Sequence, residues 1–150
     1  MILRSRESPE DVWHQLTTWL VQAASTGLPV PVQVEGVEPE QIVLLVQLDS
    51  GTRQRVRVRL VKVGDNDAFV EIATIVCWEH QLDSREAMIR NSQLVFGHLE
   101  LRPDHQKYWY RHTLWLWALG PPWEQFAGAL GLISSVGDLL ETEITGEDNW

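Results

Sequence analysis

Three segments, 41–49 (QIVLLVQLD), 54–63 (QRVRVRLVKV) and 68–79 (AFVEIATIVCWE), constrain the fold most. Each is dense in Val, Ile and Leu, and short turn-forming sequences, Ser-Gly and Gly-Asp-Asn, separate them. A three-residue turn over 50–52 sets Val46 opposite Val56, Leu44 opposite Val58 and Ile42 opposite Leu60. A three-residue turn over 64–66 sets Leu60 opposite Val70, Val58 opposite Ile72 and Arg59 opposite Glu71. Both registers gather one continuous apolar face, and a slip of one residue in either would turn that face outward. The segments therefore predict an antiparallel meander.

Helical patterns flank it. In 8–25, Ser8 is the expected N-cap, Pro9 takes the first helical position, and Glu10 and Asp11 fill the first turn. Val12, Leu16, Trp19, Leu20 and Ala23 form one stripe, and Gly27, Pro29 and Pro31 end it. A second helix over 83–95 is capped by Asp83, with Glu86 at capping-box spacing. Strands are predicted over 96–102 and 108–119. A third helix begins near Pro122, with Phe126, Leu130, Ile133, Gly137, Leu140 and Ile144 on one side. Gly128 and Gly131 lie inside it and suggest close packing. The tail TGEDNW is expected to fray or dock loosely. The order α-βββ-α-ββ-α predicts an α+β fold, an antiparallel five-stranded sheet with helices on one side, in a single domain over 1–150.

The stretch YWYRHTLWLWAL, 108–119, carries bulk on both faces of a strand. Tyr108, Tyr110, His112, Leu114, Leu116 and Ala118 alternate with Trp109, Arg111, Thr113, Trp115 and Trp117. The aliphatic side suits packing beneath helices, which leaves the Trp side on the uncovered face. That face of the meander adds Val43, Leu45, Gln47, Arg55, Arg57, Arg59, Val61, Glu71, Ala73, Ile75 and Cys77. Trp and Arg are enriched at the centres of protein contacts. Trp115, Trp117, Arg55, Arg57, Arg59 and Leu45 are accordingly the expected partner contacts. The arginine-rich hairpin is expected to attract an acidic segment.

Charge and chemistry narrow the classes. A net charge of -9 disfavours phosphate backbones and anionic membrane surfaces. A single cysteine, Cys77, allows no internal disulfide. No apolar run is long enough for a membrane helix and the first residues carry no signal-peptide core, so a cytoplasmic protein is expected. No Gly-rich phosphate loop is present. Cys77 and His80 in CWEH make half a metal site with no second pair, and His98, His105 and His112 read as surface histidines. No catalytic residue, metal or cofactor is expected.

Several short stretches carry a family likeness. The segment from AMIRNSQLVFGHLELR through HTLWLWAL to VGDLLETEITGEDNW resembles the YbjN-like and type III secretion chaperone-like proteins. The matching positions are Asn91, Gly97, Leu114 and Leu116, and Asp138 with the acidic end. The Trp density and the RVRVR row depart from that pattern. The resemblance implies a small acidic α+β protein, not an enzyme, that dimerises and binds extended client segments. The expected function is thus a chaperone-like or adaptor module, a homodimer that binds a client protein or peptide. The alternatives are a small-molecule-binding or enzymatic domain with a pocket between sheet and helices, and a structural subunit of an assembly.

Overall fold

A computed structural model describes residues 7–26 and 31–146. The elements are α1 (Pro9–Thr26), β1 (Val32–Glu38), β2 (Gln41–Gln47), β3 (Arg53–Val63), β4 (Asp67–Trp78), α2 (Ser84–Gln93), β5 (His98–Arg102), β6 (Lys107–Trp115) and α3 (Glu124–Thr145). Single 3-10 turns lie at Glu79–Gln81 and Leu116–Ala118. The class is α+β, and the sheet is antiparallel throughout, with strand order β1-β2-β3-β4-β6-β5.

The sheet has six strands where five were expected. The added strand, VQVEGVE, is polar, mostly exposed and bulged between Val34 and Gly36. An edge strand needs no apolar face along its length, so its sequence carries little strand signal. The β3–β4 register is as expected, with Arg59 opposite Glu71. The β2–β3 register is displaced by two residues: Leu44 faces Val56 and Ile42 faces Val58. The turn residues are 49–51, one position earlier than expected, because Gly51 occupies the left-handed position at φ 86° that closes such a turn. Moving the turn by one residue moves the pairing by two, so the same side chains stay inward.

The inward face is the core. Ile42, Leu44, Val56, Val58, Val70, Ile72 and Tyr110 are fully buried there. Leu16 and Leu20 of α1 and Phe126, Leu130 and Ile133 of α3 close over it. Ser8 caps α1 as expected, its Oγ accepting from the Asp11 amide while Asp11 accepts from the Ser8 amide. The helix stop assigned to Gly27 and Pro29, and most of the C-terminal tail, lie outside the described residues. Trp19 packs on Trp123 and Phe126, which ties α1 to α3. Asp83 caps α2 by accepting from the Arg85 amide, whereas Glu86 pairs with Arg90 one turn on. The third helix starts at Glu124, after the Pro121–Pro122 turn.

One glycine expectation is resolved. A Cβ at Gly128 would meet nothing, so that glycine is not a close-packing position. The close approach is at Gly137, where a Cβ would collide with Cγ2 of Thr74 on β4. A bulge between Ile75 and Cys77 turns Cys77 inward, opposite Tyr108, into the core and away from the outer face expected for it.

Candidate functional site

Among the described residues α1 and α3 pack on the inner face of the sheet, and alternation dictates what lies on the outer one. Pairing aligns its side chains in rows across the strands, four of them at the centre of the face, with Arg102 one row further on, opposite Lys107. Val61, Phe69 and Trp115 form the first; Gln41, Arg59, Glu71 and Thr113 the second. Val43, Arg57, Ala73, Arg111 and His98 form the third. Leu45 and Arg55, then Ile75, Trp109 and Glu100, form the fourth. The first row is apolar, the second and third carry most of the charge, and the fourth mixes Leu45, Ile75 and Trp109 with Arg55 and Glu100.

Glu71 is the hub of the charged part. Its side chain is 1% exposed, and four guanidiniums surround it. The nearest approaches are 2.8 Å from Arg111, 2.9 Å from Arg102, 3.2 Å from Arg59 and 3.8 Å from Arg57. Glu100 joins at 2.6 Å from Arg111 and 3.4 Å from Arg102. Burial pushes the Glu71 carboxyl toward its neutral form, but the Arg102 hydrogen bond and the charges of Arg102, Arg111 and Arg59 outweigh it, and its pKa falls below the usual 4.5. Glu100 is held low by the same opposition of burial to Arg111 and Arg102.

Four guanidiniums against two carboxylates leave the cluster with two positive charges, on a chain whose net charge is -9. Arg57 bears the consequence. Burial, then repulsion from Arg102 and Arg59, pulls its pKa down to about 10 against the weaker help of Glu71. Its guanidinium lies over the Trp109 ring at 4.3 Å, and Arg102 lies over the same ring at 4.9 Å. Each such cation–π contact is worth roughly 0.5–2 kcal/mol. Trp109 is thereby buried beneath cations on the outer face of the sheet.

The cluster holds donors in excess of its acceptors. Nε of Arg57, Arg59 and Arg111, Nη2 of Arg57 and Nε1 of Trp109 are shielded from solvent and make no hydrogen bond to the described residues. Buried donors are ordinarily paired, and each one left over costs about 1–3 kcal/mol. Two concavities adjoin these groups. A cleft of about 400 Å³ is lined by the four arginines, Glu71 and Glu100, and by Asp104 and His105 of the β5–β6 turn, so a third carboxylate faces it and one positive charge is left over there. A smaller apolar niche of about 110 Å³ lies between Val43, Ile75 and Trp109, with Arg55 and Arg57 at its sides. Arg57 borders both.

The expected contact residues are not all brought together. Arg57 and Arg59 stand at the cluster. Arg55 is exposed and engaged by Glu35 at 2.7 Å, and Leu45 lies beside it, half-buried. Trp115 ends β6 on the outer face, 49% exposed, opposite Phe69. Trp117 is a correction. The strand stops at Trp115, the chain turns, and the Trp117 indole packs on the core and donates to the Asn66 carbonyl at 3.0 Å. The two indoles expected on one face are therefore separated. Glu71, Trp109 and Arg111 were legible as outward residues but not as a hub. Arg102 and Glu100 were missed because 96–102 was assigned no partner register.

Other chemistry is sparse. Burial raises the Cys77 thiol to about 11, far from a reactive thiolate. No group of His, Cys, Asp and Glu able to hold a metal ion is found among the described residues. Among those residues no helix is long and apolar enough to cross a membrane. In comparison with known proteins, no family model matches the chain, and neither a curated protein nor a solved structure matches it.

Proposed function

We propose that this chain is a non-catalytic binding module of the chaperone-like or adaptor kind, which receives an acidic segment of a partner protein on the open face of its sheet. One observation carries the reading: a shielded cluster of four arginines with two positive charges beyond its carboxylates and unused guanidinium donors. A single buried carboxylate needs one good partner, and four cations are more than Glu71 and Glu100 use. Carboxylates from outside would complement that excess, and planar guanidiniums suit them. The resemblance to secretion chaperone-like proteins supports the same class.

The occupant is assigned by charge. A second copy laid face to face would oppose two cationic clusters, so a homodimer of this chain would use another surface. Long-range repulsion from the acidic remainder is screened beyond about 8 Å at physiological salt, which leaves the local cluster in control. A second reading, a small-molecule or enzymatic domain, has one observation in its favour: the cleft between α1 and the β1–β2 turn, about 600 Å³, where Glu10, His14 and Glu40 converge. There, however, Lys62 already holds Glu10 at 2.7 Å and Glu40 at 3.0 Å.

The test is fluorescence anisotropy with a blocked, glutamate-rich peptide and its glutamine counterpart. The glutamate peptide should bind, weaken as salt rises, and lose at least about fivefold in affinity with Arg59→Gln. Equal binding of both peptides, or of neither, contradicts the proposal.

A further inference from the structure

We propose that the open face reads two features of its partner together: a carboxylate side chain held by Arg57 and Arg59, and an aliphatic side chain two residues away seated between Val43, Ile75 and Trp109. The inference deepens the reading of this face as a surface for acidic segments and rests on it.

The geometry follows from the sheet itself. Val43, Arg57 and Ala73 share one row, and Arg59 and Glu71 share the next; the side of the cleft where Arg57 and Arg59 stand spans these two rows, and its other wall runs from Glu100 to His105. The niche takes Val43 and Arg57 from the first of these rows and Ile75 and Trp109 from the row on its other side. Successive rows on one face are two residues apart along a strand, about 6.6 Å. An extended peptide lying along that direction repeats the same spacing. Its residues i and i+2 point to one side, and residue i+1 points away. An acidic residue and an aliphatic residue with one residue between them thus reach the cleft and the niche at once. Adjacent residues cannot.

The chemistry of each half is separate. The Arg59 side chain is 39% exposed and that of Arg57 16%, so a carboxylate from outside meets the exposed parts of two guanidiniums, groups that bind it bidentately. The niche is walled by Val43, Ile75 and the indole of Trp109, and its about 110 Å³ is well above the room a single water requires. That lining favours a branched aliphatic group over a polar one.

Calorimetry on the intact chain tests this with four terminally blocked peptides that share one serine-glycine background. They contain Glu-Ser-Leu, Glu-Ser-Gly, Glu-Leu-Ser or Gln-Ser-Leu. Glu-Ser-Leu should bind roughly tenfold more tightly than Glu-Ser-Gly, as burial of one aliphatic side chain implies. Glu-Leu-Ser should show no such advantage, and Gln-Ser-Leu should bind weakest. Val43→Phe, which fills the niche, should erase the leucine advantage and keep the preference for Glu over Gln. Equal affinity for Glu-Ser-Leu and Glu-Ser-Gly overturns the two-feature anchor while the acidic-segment reading stands. Equal affinity for Glu-Ser-Leu and Gln-Ser-Leu overturns both.

Discussion

At the scale of single residues, Glu71 decides the state of the whole open face. Its carboxylate is fully shielded and neutralises part of a crowded set of guanidiniums. Glu71→Gln keeps the shape and removes the charge. The four arginines then face one another with only Glu100 in compensation. Removal of one partner from a buried ionic group costs about 3–5 kcal/mol, so urea unfolding of the variant should show a loss of that order. The pH dependence has a definite sign. The folded pKa of Glu71 is depressed, so its contribution is complete above the ordinary value of 4.5 and fades as pH falls through the folded value. The stability gap between wild type and Glu71→Gln should therefore shrink below pH 4.5 and be constant above it. A gap below about 1 kcal/mol at neutral pH would mean that the arginines tolerate the loss of their hub.

At the scale of elements, two contacts hold the layers in register. Gly137 lets α3 approach β4 at Thr74. Gly137→Ala should gain about 1 kcal/mol in helix propensity but lose about 1–3 kcal/mol to overpacking. In a Thr74→Ser background Cγ2 is gone, while the hydroxyl still bonds Gln54 and the Arg55 carbonyl. There the alanine should be neutral or stabilising, and a double-mutant cycle by thermal unfolding reads the coupling. On the far edge, Asn91 of α2 accepts from the Leu99 amide at 2.7 Å and donates to the Leu99 carbonyl at 3.0 Å. It occupies the unpaired edge of β5 as another strand would. Asn91→Ala should cost about 1–3 kcal/mol and speed hydrogen exchange at the Leu99 amide. Unchanged exchange there would show that the edge is protected by other means.

These elements also show what a sequence reveals. The meander was legible because both its faces obey alternation, and the β3–β4 register followed because Arg59 and Glu71 form a complementary pair. The β2–β3 register was not, because the face pattern is identical at two-residue displacements and only the conformation of Gly51 separates them. β1 was silent because an exposed bulged edge strand has no buried side to mark it. Of the site, the arginine row and the outward Trp109 could be read from alternation. The convergence of Arg102 and Arg111 on one carboxylate depends on β6 inserting between β4 and β5, a pairing between segments distant in the chain.

At the scale of the molecule, the fold separates two tasks. One face of the sheet forms a core with α1 and α3; the other carries a compact cationic cluster beside an apolar row of Val61, Phe69 and Trp115. On the proposed reading, a cationic cluster on an acidic protein would select a partner by local complementarity and not by net charge. Trp115, Phe69 and Val61 extend the island toward an apolar border, as interface centres with polar neighbours do. The direct measurement is a titration of isotope-labelled protein with the Glu-Ser-Leu peptide, followed by amide and indole NMR shifts. The account predicts shifts concentrated at Arg57, Arg59, Ile75, Trp109 and Arg111, with α1 and α3 unmoved. Shifts confined to the helical layer or the β1 edge, or none at saturating peptide, would contradict it.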